Sequence, residues 1–94
     1  MTGDHQKATA RQAILRAYDQ LERASGRQAF SVTEIAEAVP EYKRGTISAH
    51  LCSSMADGKN HSLGYGEIER VARGQYQLTA KGRKALQDLL AGRL

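Results

Sequence analysis

The sequence predicts a single, mainly helical domain with a small antiparallel β-hairpin before its last helix. Three observations predict this fold class. Ser/Thr-x-x-Glu/Gln patterns, which commonly begin helices, occur at residues 9–12 and 31–34. Apolar residues recur at helical spacing in four stretches, about 10–25, 33–39, 45–57 and 80–94. The segment 68–79, IERVARGQYQLT, contains two short strand patterns around Arg73-Gly74, as a hairpin does.

Length and composition set the class of protein. The chain has 94 residues, of which 40% are hydrophobic and 26% are charged, which is ordinary for one small globular domain. We predict one domain over 1–94, with a core at about 8–80 and a C-terminal helix at about 80–92. No apolar run approaches the roughly 20 residues that cross a bilayer, and the one cysteine, Cys52, cannot form an internal disulfide. These features predict a cytoplasmic protein without a membrane segment.

Charge is distributed unevenly along the chain. The net charge is +4, yet residues 30–57 carry two Lys/Arg against four Asp/Glu, whereas residues 80–94 carry four against one. The basic excess therefore lies towards the chain ends. A positive field favours polyanions in general and identifies no particular partner.

The first helix begins at Thr9, because Gln12 completes a capping box, and runs for about 17 residues to Ser25-Gly26. Its predicted apolar face comprises Ile14, Tyr18 and Leu21 with Ala10, Ala13, Ala17 and Ala24. Its charged positions, Arg11, Arg16, Asp19 and Arg23, are predicted to lie mostly in solvent.

A short extended segment over 29–32 precedes the second helix. Ser31, with Glu34 three residues later, competes with Thr33 as the N-cap of that helix. The helix is predicted to bury Ile35, Ala36 and Val39 and to end at Pro40, which cannot continue a helix.

The third helix is predicted from about Gly45 to Asp57, after the polar turn 41–45. Its inner face consists of Ile47, Leu51 and Met55, at four-residue spacing, and its outer face of Thr46, Ala49, His50, Ser53 and Asp57. Gly58 ends it, and the connector 58–66 is long for so small a domain.

The hairpin is predicted to turn Tyr76 and Leu78 inward and Gln75, Gln77 and Thr79 outward. Ile68 and Val71 are three residues apart, which a regular strand would place on opposite faces. We therefore expect a bulge near Glu69-Arg70. Glu67 and Glu69 are predicted to share one exposed face.

The last helix has an apolar stripe of Leu86, Leu89 and Leu90. Two interpretations remain open at this stage. The stripe packs onto the first helix and completes the core, or it pairs with a second copy of the chain and forms a homodimer through the terminal helices.

The hairpin and the second and third helices also carry a family resemblance. The residues concerned are Phe30, Glu34-Ile35, Thr46-Ile47 and Ile68-x-Arg70-Val71-x-x-Gly74-x-Tyr76-x-Leu78-Thr79. Over roughly residues 10–90 the chain resembles winged helix-turn-helix domains of bacteria and phages, in the order helix, short strand, helix, helix, two hairpin strands, helix. The hairpin is similar to that of small modules attached to restriction endonucleases. The junction Tyr76-x-Leu78-Thr79-x-x-Gly82-Arg83 is similar to that of small transcriptional repressors.

The resemblance implies binding to double-stranded DNA, with the recognition helix 45–57 in the major groove and the wing 67–79 on the backbone. The DNA-facing positions that it implies are Tyr42, Lys43, Arg44, Thr46, Ala49, His50 and Ser53, with Arg70, Arg73 and Gln75 on the wing. It places the protein with the nucleoid, as a small transcriptional regulator or the DNA-reading module of a larger nuclease. The third helix departs from strong base readers, because its outer face has no Arg, Asn or Gln to form bidentate contacts.

No set of residues predicts catalysis, a cofactor or a metal site. His5, His50 and His61 lack ligand spacing, and Gly58-Lys59-Asn60 lacks the pattern of a phosphate loop. His50 and Cys52 diverge on a helix and do not suggest a nucleophilic pair. The competing hypothesis is a winged-helix protein-interaction module that docks a partner through the acidic second helix and the apolar surface of the third helix, as the net charge of −2 over residues 30–57 suggests. RNA binding is a weaker third, because few tyrosines remain for base stacking.

Overall fold

The computed structural model of the chain describes residues 9–54 and 66–93. These residues form four α-helices, one π-helical segment and two strands. In chain order they are α1 (Ala10–Ser25), α2 (Val32–Ala38), α3 (Arg44–Ala49), the π-helical segment (His50–Ser54), β1 (Ile68–Ala72), β2 (Gln75–Leu78) and α4 (Ala80–Leu90). The predicted fold class, mainly helical with a two-stranded antiparallel hairpin, is confirmed. None of the described helices is long and apolar enough to span a bilayer.

Helix α1 begins and ends where the sequence predicts. Thr9 Oγ1 accepts a hydrogen bond from the Gln12 amide at 3.2 Å, and Gln12 Oε1 accepts one from the Thr9 amide at the same distance. At the other end Gly26 adopts a left-handed φ of 74° and its N–H reaches the Glu22 carbonyl. The buried face is wider than predicted because α2, α3 and α4 all pack against this helix. Leu15 is therefore fully buried, whereas Ala24 is exposed.

Helix α2 resolves the choice between two N-caps in favour of Ser31. Its Oγ accepts from the Glu34 amide at 3.1 Å, and the Glu34 carboxylate accepts from the Ser31 amide at 3.4 Å. Arg27 also binds this carboxylate, at 2.7 Å, and together with Ser31 holds the pKa of Glu34 below its ordinary value. The helix ends at Ala38, two residues earlier than the predicted end at Pro40, and Val39 is its C-cap.

Helix α3 is shorter than predicted. It begins at Arg44, one residue early, and after Ala49 the chain widens into the π-helical segment. Ile47 and Leu51 are fully buried, as the apolar spacing predicts. The rest of the predicted third helix, 55–57 with Met55, and the connector 58–65 lie outside the described residues.

The hairpin pairs Ile68 with Leu78 and Arg70 with Tyr76, and turns at Gly74, whose φ is +70°. The predicted bulge exists, but one position later than expected, between Arg70 and Ala72. The bulge does not bring Val71 onto the buried face with Ile68. Val71 is 45% exposed, because the irregular residue of the strand points outward instead of being brought into the core.

Three aromatic residues attach the hairpin to the helices. The predicted short strand before α2 is reduced to one residue, Phe30, whose backbone exchanges two 2.9 Å hydrogen bonds with Tyr76. Tyr18 of α1 donates to the Tyr76 carbonyl at 2.8 Å and meets the Phe30 ring edge-on, at 5.8 Å between centroids. Tyr18 and Phe30 are fully buried, so β2 is joined to the centre of the core at Tyr76, near the hairpin turn.

Helix α4 completes the core. Leu86 and Leu89 are buried and α4 packs against α1, in agreement with the first of the two interpretations of the C-terminal stripe. Leu90 is 50% exposed and contributes little to the core. Thr79 caps the helix by accepting from the Gly82 amide at 3.1 Å. Gly82 itself lies against the carbonyl of Glu67, and this contact leaves no room for a side chain.

Candidate nucleic-acid interface

The predicted DNA-facing residues lie in two groups. Seven belong to the turn before α3, to α3 and to the π-helical segment: Tyr42, Lys43, Arg44, Thr46, Ala49, His50 and Ser53. Three belong to the hairpin: Arg70, Arg73 and Gln75. The two groups are connected through the Phe30–Tyr76 bridge, because it holds β2 at the start of α2.

Two cations mark the beginning of α3. Lys43 is the N-cap residue and is exposed, and its side chain makes no capping hydrogen bond. Arg44, also exposed, donates from Nη2 to Thr33 Oγ1 of α2 at 3.2 Å. Thr33 is therefore a partner of Arg44 rather than the cap of α2, which the sequence did not reveal. Tyr42 is half-buried and packs against the core, so part of its side chain stabilises the fold and is not available to DNA.

The outer face of α3 offers little hydrogen-bonding chemistry. Ala49 is exposed, while Thr46 and His50 are half-buried. The Nδ1 atom of His50 is buried without a hydrogen-bond partner among the described residues. Ser53 lies in the π-helical segment, and its side chain lies outside the description. An alanine methyl can contact a thymine methyl, but it cannot form the paired hydrogen bonds that distinguish bases.

The hairpin presents two exposed arginines. Arg70 lies in β1 and Arg73 in the turn, whereas Gln75 at the start of β2 is half-buried. Arg70 faces Tyr76, whose phenol accepts from the Cys52 thiol at 3.6 Å. That contact and burial raise the pKa of Tyr76, and the nearby Arg70 partly opposes them. Cys52 is half-buried and packs against the core.

Ion pairing divides the described cations into two sets. In the described part of the chain five arginines pair with carboxylates: Arg11, Arg23, Arg27, Arg83 and Arg93. By contrast, Lys43, Arg70 and Arg73 form no ion pair with a described residue. A cation without a carboxylate neighbour keeps its full charge for an external anion. Charge is therefore left available at the start of α3 and along the hairpin, and also at Arg16 of α1 and at Lys81 and Lys84 of α4.

Acidic side chains are also present nearby. Glu37 of α2 and Glu41 of the following turn are both exposed and would repel a phosphate. Glu69 is half-buried and accepts from Gln77 Nε2 at 3.2 Å across the hairpin. The surface is thus mixed in charge on its α2 side and cationic at α3 and the hairpin tip.

Glu67 is not on the exposed face where the strand pattern placed it. Its side chain is 2% exposed and pairs with Arg11, which was expected in solvent. Alternation failed here because β1 begins only at Ile68, so Glu67 precedes the pleat and turns towards α1. The partner lies 56 residues away in the chain, and no local pattern could have indicated it.

The described residues contain no group of three His, Cys, Asp or Glu side chains that could share a metal ion. No family model, no curated protein and no solved structure matches this chain.

Proposed function

We propose that this chain is a duplex DNA-binding domain of the winged helix-turn-helix type. In this proposal α3 lies in the major groove and the hairpin contacts the sugar-phosphate backbone. The observation that carries it is the exposure of Lys43, Arg70 and Arg73 without ion-pair partners among the described residues, on the two elements that such a domain applies to DNA. The order of helices and hairpin supports the same proposal.

The chemistry favours contacts to the backbone over contacts to bases. Lysine and arginine neutralise phosphates and release condensed counterions, which supplies affinity without sequence information. The outer face of α3, with Ala49 exposed and Thr46 half-buried, adds little base discrimination. The protein is then a DNA binder of low specificity as a single copy. It acts as a small regulator in a bacterium or phage, or as the DNA-reading module of a larger nuclease, with no catalytic role of its own.

The test is fluorescence anisotropy with a labelled random duplex at several salt concentrations. If Lys43, Arg44, Arg70 and Arg73 each contact one phosphate, log affinity falls against log salt with a slope of about −3.6. Between about 50 and 200 mM salt the affinity then decreases by about 150-fold. The triple variant of Lys43, Arg70 and Arg73 to glutamine should reduce the slope to about −0.9.

A matched control removes the same charge elsewhere. Arg16, Lys81 and Lys84 are exposed on α1 and α4 and form no ion pair with the residues described. Changing these three to glutamine should leave the salt slope within about one unit of the original. No binding at about 50 mM salt, or equal slopes for the two triple variants, would contradict the proposal.

One observation favours a second candidate, a protein-interaction module. Val71 is a β-branched apolar residue exposed at the bulge, beside Arg70, and a phosphate backbone gains nothing from a valine. The exposed Glu37 and Glu41 also suit a partner surface better than DNA. If the wild-type chain does not bind duplex DNA, this candidate takes precedence. Val71→Asp should then weaken partner binding more than the triple charge variant does.

A further inference from the structure

The hairpin is attached to the helical core at both of its strands, and the two attachments differ in kind. On β2, backbone and phenol hydrogen bonds to Tyr76 come from Phe30 and Tyr18. On β1, Ile68 is buried in the core, and Glu67, the residue immediately before the strand, adds a side-chain ion pair. Its carboxylate accepts hydrogen bonds from Arg11 Nε at 2.9 Å and from Arg11 Nη2 at 2.5 Å. This is a two-point contact between a planar guanidinium and a planar carboxylate.

The backbone of Glu67 is constrained as strongly as its side chain. Its carbonyl accepts the Thr79 amide at 2.9 Å, which closes the hairpin at its base. The same carbonyl lies against Gly82 of α4. Glu67 therefore meets α1 through its side chain and α4 through its main chain, at the point where β1 leaves the core.

Burial makes the side-chain contact specific. A carboxylate that is 2% exposed has lost its hydration and depends on a cation in the correct geometry. Apolar contacts alone tolerate small rotations, whereas a bidentate pair fixes the direction as well as the distance. The pair is thus one of the contacts that constrain the start of β1, and the exposed Arg70 follows two residues after the first residue of the strand.

We propose that Arg11 is a positioning residue for the hairpin. Through Glu67, α1 sets the angle at which β1 leaves the helical core, and so sets where Arg70 and Arg73 stand relative to the beginning of α3. The orientation itself does not depend on what the protein binds. Its consequence for DNA affinity rests on the proposed function.

The first experiment measures orientation without DNA. Residual dipolar couplings of the amides in β1 and β2 are compared with those of α1 and α4, in the full chain. In the double variant Arg11→Met with Glu67→Met, an apolar pair of similar length replaces the ion pair, a change that buried pairs often tolerate. We expect the couplings of β1 and β2 to fit only if the hairpin is rotated relative to the helices. The couplings within α1 and within α4 should still fit the unchanged geometry of each helix.

The chain offers a matched control. Arg83 and Glu22 also form a bidentate pair, at 3.1 and 3.0 Å, but they join α4 to α1 and not to the hairpin. Their double methionine variant should leave the hairpin orientation unchanged. If the Arg11 and Glu67 variant does not fold, Arg11→Lys, which keeps the charge but not the two-point geometry, takes its place. A hairpin orientation identical to that of the wild type in the folded variant would overturn the proposal.

The second experiment reads the consequence on duplex DNA. If the hairpin of the Arg11 and Glu67 double methionine variant is displaced, Arg70 and Arg73 lose their two phosphate contacts. The slope of log affinity against log salt then becomes less steep, changing from about −3.6 to about −1.8. The decrease in affinity between about 50 and 200 mM salt then shrinks from about 150-fold to about 12-fold. Adding Arg70→Gln and Arg73→Gln to the Arg11 and Glu67 double methionine variant should change the salt slope little further. If the wild-type chain does not bind duplex DNA but the hairpin of the double methionine variant is reoriented, only the proposed function is refuted. If the wild-type chain binds duplex DNA but the hairpin of the variant keeps its orientation, only the positioning role of Arg11 is refuted.

Discussion

Gly82→Ala places two physical effects in direct opposition. Gly82 lies near the start of α4, where alanine is favoured over glycine by about 1 kcal/mol. A Cβ built at this position would stand 2.2 Å from the Glu67 carbonyl oxygen and 3.2 Å from Leu78 Cδ2. The first of these contacts is far inside van der Waals distance, and it is with backbone, which cannot rotate away.

The magnitude follows from what must move. Separating the Cβ from the oxygen to ordinary contact displaces Glu67 by about an ångström, and overpacking of this kind costs about 1–3 kcal/mol. The displacement also weakens the 2.9 Å bond from the Thr79 amide to the same oxygen, worth about 1 kcal/mol. After subtracting the gain in helix propensity, we expect Gly82→Ala to lower the free energy of unfolding by about 2 kcal/mol.

The assay is urea and thermal denaturation followed by circular dichroism, with Gly45→Ala as the matched control. Gly45 is also in a helix, yet nothing lies within 4 Å of its Cβ position. Gly45→Ala should therefore stabilise by about 0.5 kcal/mol. In a domain of this size Gly82→Ala should lower Tm by about 10 °C. A Gly82→Ala protein as stable as the wild type would refute the reasoning, because the contact with Glu67 would then cost no more than the gain in helix propensity.

The remaining predictions concern one buried phenol and one helix cap. Burial raises the pKa of Tyr18 above its ordinary value of 10.0, so its contribution to stability is complete below about pH 10 and falls above it, by at most about 1.4 kcal/mol per pH unit. Urea denaturation between about pH 9 and 11 should show a shallower loss in Tyr18→Phe, and equal slopes would contradict this. Ser31→Ala removes the bond to the Glu34 amide and should lower stability by about 1 kcal/mol. Urea denaturation measures this change, and an unchanged unfolding midpoint would show that Ser31 does not stabilise the start of α2.

Local signals were sufficient to predict most of the elements. A cap forms between residues three apart, so Thr9 with Gln12 and Ser31 with Glu34 are legible in the sequence. The positive φ of Gly74 is equally local, because the turn it occupies spans only a few residues. The resulting order of helices and hairpin could therefore be predicted before any tertiary contact was known.

Burial was predicted less well, because it depends on residues distant in the chain. A glutamate beside a strand is usually solvated, and only the approach of Arg11 makes the buried position of Glu67 tolerable. Leu15 lies off the main stripe of α1 and becomes buried because three helices surround α1. For Val71 the error has the opposite sign: an apolar residue is exposed, because the bulge turns its side chain outward. For the candidate interface, the choice of cations stays a prediction from the sequence, whereas the ion pairs that occupy the other arginines depend on tertiary contacts.

The Phe30–Tyr76 bridge has a consequence for how copies of this chain meet one another. Within the described residues β1 is the outer strand of the sheet, and β2 is covered at Tyr76 by Phe30. An open strand edge is a template for pairing with another chain. Here the outer strand carries Glu69 and Arg70 and is interrupted by a bulge, both of which discourage a continuous ladder between molecules. Edge-to-edge pairing of β1 between copies of the chain is accordingly disfavoured.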